Sequence, residues 1–263
     1  MPDSIISLRP SAPPAPSSPT GEGRVALGIA QVDAWLMGGL RHDALHEAYS
    51  PAREDAAAAM ALALLVAWRN HAADHRVGGQ ENRRTVIWAR ELSTPSVPYG
   101  PGLVELGIDP AIVTLLLLPD SRAVLRAALD SVRQGAVGSV LIELRGRQPL
   151  LDLTATRRLA LAAQDSATMV WLVRGEAQPV PSAAHTRWQV GHAPSSGAGA
   201  HPAFDLTLLR HRGGREGLHV RMEWDRDTAI FQHPATQATD SIPGAVPAVA
   251  GGPAGPAFGD RAA

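Results

Sequence analysis

Leu45-His46-Glu47-Ala48-Tyr49-Ser50-Pro51-Ala52-Arg53-Glu54-Asp55-Ala56-Ala57-Ala58-Ala59-Met60 reads as a strand, a tight loop and the start of a long apolar helix. This is the setting of a phosphate-binding loop, which needs G-x-x-x-x-G-K-[ST] between strand and helix. Ser50 stands where the first glycine belongs and Asp55 where the second does, while Ala56 and Ala57 replace the lysine and the hydroxyl residue. Glycines let backbone N–H groups curl around phosphate oxygens, the lysine supplies a point charge, and the hydroxyl ligates Mg²⁺. Alanines do neither of the last two. Glu54 and Asp55 also set negative charge at the helix N-terminus, where a phosphate needs the positive dipole end. Asp55 is expected to cap the helix through its own carboxylate. Taken alone, the stretch fits either a capped helix after a strand or a phosphate loop stripped of its chemistry.

Working outward, periodicity gives an alternating order. A short helix over 29–37 stops at Gly38-Gly39. The first strand covers 44–49 and the helix 55–73 follows. Strands at 85–90, 113–118, 139–144 and 168–173 alternate with helices carrying 102–106, 121–134 and 153–165. Continuous apolar strands separated by helices indicate α/β architecture: a doubly wound, mostly parallel sheet. Stretches 186–190, 204–210 and 218–224 alternate like half-exposed strands around a turn at 213–217, and Ile230-Phe231 adds a short last one. They predict an antiparallel C-terminal extension.

The chain has 263 residues, a formal charge of −1 and no cysteine. Near-neutrality provides no global field for nucleic acid or acidic membranes, and the lack of thiols excludes disulfides and suits a reducing cytoplasm. The first 19 residues lack the pattern of a secretory signal, and the longest apolar run, 56–68, is short for a bilayer span. Residues 1–23 and 234–263, rich in Pro, Ser, Ala and Gly, read as disordered tails around a folded core at 24–233; 193–202 reads as a mobile internal loop.

Ligands of open α/β sheets sit beyond the carboxyl ends of the strands, where Glu91 and Glu143 fall. In an ATPase of this architecture such carboxylates position water and hold Mg²⁺; otherwise strand-end carboxylates cap helices or pair with arginines, here Arg90, Arg145 or Arg147. Arg210, His211, Arg212 and Arg215 form a basic hairpin corner, suited to phosphate or an acidic surface, or a solvated turn balanced by Asp205, Glu223, Asp225 and Asp227. The ten histidines show no zinc spacing, and no G-x-S-x-G elbow supports serine catalysis, so no metal or cofactor is expected. The six tryptophans lie in predicted elements and read as core rather than a base-stacking platform.

Gly28-Ile-Ala-Gln-Val-Asp33, Gly38-Gly39-Leu40 and Glu47 resemble the lead-in to the ATP-binding core of RecA-like recombinases. The likeness continues through Trp88-Ala-Arg-Glu91, Leu106-Gly-Ile-Asp-Pro110, Val140-Leu-Ile-Glu143 and Leu209-Arg-His-Arg212, over about residues 27–231. It implies that Glu91 stands at the water-activating position and that Glu143 replaces the usual aspartate of Walker B. Leu153-Thr-Ala-Thr-Arg157-Arg158, Pro181-Ser-Ala-Ala-His-Thr-Arg187-Trp188 and Glu223-Trp-Asp-Arg-Asp227 resemble, more specifically, the ImuA family (inducible-mutagenesis A, RecA/SulA-like). That resemblance implies an accessory role in SOS-induced translesion synthesis, with an ImuB-type polymerase-like protein, an error-prone replicative-type DNA polymerase, and RecA as partners. The expected location is cytoplasmic, at the nucleoid when DNA is damaged.

Departures from recombinases matter as much. The phosphate loop is gone, and 175–184 is too short for the long mobile DNA-binding loop of RecA. The expectation is a non-catalytic scaffold in which Glu91 and Glu143 are vestigial. Its rivals are a residual ATPase completed in trans by Arg212 or Arg215 and a SulA-like cell-division inhibitor; DNA binding is expected to be weak or indirect.

Overall fold

The computed structural model describes residues 23–74, 85–95, 98–196 and 201–234. The two tails, apart from their inner ends, and part of the loop at 193–202 lie outside the described residues.

The elements follow in the order β1 (Arg24–Val25), α1 (Ala30–Trp35), β2 (Leu40–Arg41), β3 (Leu45–Ser50), α2 (Ala56–Asp74), β4 (Val86–Glu91), α3 (Gly100–Glu105), a 3₁₀ turn (Pro110–Ile112) and β5 (Val113–Leu118). Then come α4 (Ser121–Gln134), β6 (Ser139–Arg145), α5 (Leu153–Ser166), β7 (Met169–Gly175), β8 (Thr186–Ala193), β9 (Ala203–His211), β10 (His219–Asp225) and β11 (Ile230–Gln232). The nine-stranded sheet has the order β11-β10-β9-β8-β3-β7-β6-β4-β5. From β5 to β8 every pairing is parallel; β8 to β11 pair antiparallel. The chain is thus α/β, as periodicity predicts, with the antiparallel strands on the C-terminal side.

The strand before the loop, β3, ends up central, between β7 and β8. Helices cover both faces. On one, α2 packs its apolar residues over Ala48, Leu141, Trp171, Val173 and Trp188. On the other, Val124, Ala128 and Val132 of α4 and Leu159 and Ala163 of α5 cover Leu45, Val140, Ile142, Val170 and Leu172. Successive strand residues therefore serve opposite cores, which is the period-two geometry of a sheet buried on both sides. Five tryptophans are buried and Trp35 is partly so, in keeping with a core role.

Local chemistry sets the helix ends. Asp120 and Asp152 accept hydrogen bonds from Ala123 N–H (2.8 Å) and Ala155 N–H (2.7 Å), capping α4 and α5. Gly135 closes α4 in the left-handed conformation. The Gly38-Gly39 pair does more than stop α1. Gly39 lies at φ +122°, and a Cβ there would stand 2.4 Å from the Val25 carbonyl oxygen, so the β1–β2 ribbon demands glycine. Sequence periodicity missed this two-residue ribbon, because strands so short carry no alternation to read. Asp33 in α1 turns back to accept from the Leu27 (2.6 Å) and Gly28 (3.0 Å) amides, fastening the lead-in.

Candidate functional site

The carboxyl ends of β3, β4, β6 and β7 meet the N-terminus of α2. Ser50 is fully buried and lies beside Gly175 in the sheet register. The first turn of α2 presents Ala56 and Ala57 to a cavity of about 510 Å³. Met60 and Leu64 of α2, Trp88 of β4, and Leu103 and Leu106 beside α3 provide most of its apolar lining; Arg53, Arg90, Glu143 and Arg145 provide the charge.

The charged floor is tightly arranged. Trp88 Nε1 donates to Glu143 Oε2 at 2.9 Å, and Arg90 Nε lies 3.3 Å from the same oxygen. Arg90 and Glu143 are register neighbours on parallel strands, so their side chains emerge on the same face. Glu143 thus pairs with an arginine, one of the two roles that strand-end carboxylates take. Arg145 pairs with Glu176 at 2.8 Å. Arg53 is exposed at the rim.

Glu91 does not join them. It follows Ala89 by two residues and neighbours Leu118, both on the α4 side of the sheet, while Arg90 faces the cavity. Its carboxylate accepts from Ser93 Oγ at 3.1 Å. The two carboxylates at strand ends therefore alternate to opposite faces of the sheet.

Asp55 behaves differently from a simple cap. Its Oδ1 accepts from the backbone N–H of His192 (2.9 Å) and lies 2.6 Å from His192 Nδ1, tying the entrance of α2 to β8. The expected capping role is replaced by this cross-strand tie: β8 brings an amide and an imidazole to where a free carboxylate would have turned to its own helix. A metal-bound triphosphate does not suit this donor set. The lysine and hydroxyl positions are alanines, a carboxylate stands at the helix N-terminus, and the arginines of the adjoining, mainly apolar cavity are paired with Glu143 and Glu176 or lie at its rim.

The opposite face of the same strand ends is closed. Glu47 Oε2 accepts from Ser182 Oγ (2.7 Å) and Arg187 Nε (2.9 Å), with all three residues largely buried. Arg174 lies over the Tyr49 ring at 5.3 Å, and burial, then the Glu47 charge, pushes the Tyr49 hydroxyl above its usual pKa. Thr156 Oγ1 accepts from Ala183 N–H at 3.2 Å. The connection from β7 to β8 is consequently pinned at Glu176, Ser182 and Ala183.

Nearer the amino end of β3, His46, His185 and His211 lie edge to face, at 6.2 Å and 5.3 Å between successive rings. Burial holds His46 at a pKa of about 3 and His185 at about 4, with neighbouring His211 adding to the second shift. His211 is itself depressed by burial. Among the described residues no group of His, Asp and Glu is placed to hold a metal ion.

The basic corner is divided by the same alternation. His211 is only 3% exposed and turns inward, away from Arg210 and Arg212, which are exposed. Arg215 lies over the Trp35 ring at 5.9 Å, and its carbonyl accepts from Trp35 Nε1 at 3.0 Å. The acids proposed to balance the corner are engaged elsewhere: Asp205 with His219 (2.7 Å), Asp227 with Arg226 (3.5 Å), Asp225 with its own turn, and Glu223 with the Ser196 amide.

No family model matches the chain, and no curated protein does. Among solved structures, it is similar to one described as the crystal structure of the RadB recombinase. The TM-score is 0.53 and the identity 14%, over 80% of this chain and 99% of that one. At such identity the likeness speaks for the fold: the chain has a RecA-like α/β architecture. No described helix is long and apolar enough to cross a membrane.

Proposed function

We propose that the protein is a non-catalytic adaptor on a RecA-like core, serving SOS-induced translesion synthesis in the manner of the ImuA family. One observation carries the reading. The place of a phosphate loop is built from Ala56, Ala57 and an Asp55 held by His192, and it opens on an apolar, arginine-bearing cavity. The separation of Glu91 from Glu143 by the sheet supports it, since hydrolysis needs water activation and metal on one phosphate. The pinned β7–β8 connection argues against a mobile loop threading DNA there. On this reading the partners are an ImuB-type polymerase-like protein, an error-prone replicative-type polymerase and RecA, met in the cytoplasm at damaged nucleoid DNA.

Thermal unfolding with and without Mg-ATP tests the non-catalytic half, because a ligand bound only by the native state raises the midpoint. The expected response is flat; a raised midpoint with ATP turnover that falls on Glu91→Ala would overturn it. Co-purification from DNA-damaged cells tests the adaptor half. Recovery of polymerase subunits is expected, and recovery of neither polymerase nor RecA counts against it. Filamentous cells on overexpression, with unchanged mutation frequency, would instead favour a division inhibitor.

A further inference from the structure

We propose that the cavity between α2 and α3 is a docking pocket for a partner's peptide segment that combines a large apolar side chain with an adjacent Asp or Glu. The proposal rests on the adaptor reading and names the chemistry by which the adaptor holds its partner.

The volume of about 510 Å³ falls within the size of ordinary ligand pockets. Small residues make the space. Ala57 and Ala61 stand on the open side of α2, where a lysine-sized or aromatic side chain would fill it. The apolar walls come from two elements, Met60 and Leu64 on α2 and Leu103 and Leu106 around α3. The segment bearing the second wall also exposes Leu92 (66%), Tyr99 (70%) and Val104 (57%). Three large apolar side chains exposed on the segment that also supplies a wall of the cavity give a partner apolar groups to cover.

Charge selects the other half of the occupant. Among the described residues Arg53, Arg90 and Arg145 line the cavity, with Glu143 as the acid among them. Glu143 is committed to Trp88 and Arg90, and Arg145 to Glu176, while Arg53 makes no ion pair among the described residues. A carboxylate beside the buried side chain meets the Arg53 guanidinium at the rim in the bidentate geometry arginine favours. A nucleotide would lack its phosphate clamp here. A nucleic-acid backbone would face leucine and methionine instead of a charged groove, with a single uncommitted cation to neutralise it.

The test uses full-length protein and two plugging positions. Peptides selected on it from a random phage library are labelled with fluorescein, and binding is read by anisotropy. Selected sequences are expected to share an apolar residue beside an acidic one. Ala61→Trp fills the pocket and should weaken them by about tenfold or more. Arg53→Glu should weaken them by about fivefold and reduce the salt dependence. Arg53 is exposed and Ala61 only partly buried, so unfolding midpoints should stay close to wild type; if Ala61→Trp lowers the midpoint, exposed Ala57→Trp serves as the plug. Selected peptides that are basic or uncharged, binding indifferent to both plugs, or displacement by Mg-ATP would overturn the proposal. So would a fluorescent oligothymidine that binds and is lost with the same plugs. Failed selection with polymerase subunits still co-purifying removes the pocket and leaves the adaptor. Peptide binding with no polymerase recovered keeps the pocket and removes the translesion role.

Discussion

The two sides of the sheet at the carboxyl ends of β3, β6 and β7 are built from alternate residues of the same strands, and they differ in almost every respect. On the α5 side, Glu47, Tyr49 and Arg174 meet Ser182 and Arg187 in a closed polar cluster that seals the β7–β8 connection. On the α2 side, Glu143, Arg145 and Gly175 border an open, mainly apolar cavity. The loop between β3 and α2 opens onto this second side. The difference teaches that a helix entrance without lysine or hydroxyl still borders an open cavity. The small residues of α2 keep the space, and arginines keep its polarity.

Removing charge from the closed side should therefore hurt folding most. Glu47→Ala leaves Arg187, whose side chain is 11% exposed, without its carboxylate and should cost about 3–5 kcal/mol, read from the denaturant midpoint. Equal stability would show that the cluster is wetter than its burial implies. On the open side, Glu143→Ala breaks contacts to Trp88 and Arg90 at a partly exposed carboxylate, with an expected loss of about 1.5–3 kcal/mol. A loss as large as that of Glu47→Ala would erase the distinction between the faces.

Acid should act beyond both. The folded pKa of His46, about 3, lies below its unfolded value, so between pH 6.5 and about 3 the unfolded chain binds a proton that the native state refuses. Stability is unaffected above pH 6.5 and declines below it, by about 2 kcal/mol at pH 5 from His46 alone. Thermal midpoints across that range check it, and His46→Gln should flatten the slope. The smallest effect is expected at Asp55→Ala, about 0.5–1 kcal/mol, because His192 is 66% exposed and water replaces the lost partner. A larger loss would mean that the α2–β8 tie holds the cavity open.

Much of this was legible in the residues. The bounds of β5 and α4 follow from periodicity, since Val113–Leu118 is a continuous apolar run and Val124, Ala128 and Val132 repeat at helical spacing. The α/β class and the antiparallel extension followed in the same way. The basic corner was legible as a cluster of cations, but not its division, because His211 points inward only once β9 pairs with β8. The Trp88–Glu143–Arg90 floor joins residues 55 positions apart, and the signal for it was limited to arginines near a strand-end glutamate. The Asp55–His192 tie spans 137 positions and leaves no local trace.

By itself the sequence determined which residues are present and which periods they keep: a strand–loop–helix unit without lysine or hydroxyl, alternating α/β elements and a near-neutral charge. Those are local properties, set by backbone geometry and side-chain chemistry within a few turns. The tertiary structure alone decided which face each strand residue serves. It placed Glu91 away from Glu143, gave Asp55 to His192 instead of its own helix, and left a cavity beneath α3. Strand order and register are properties of the whole sheet, and a side chain's partners across it depend on pairings distant in the chain.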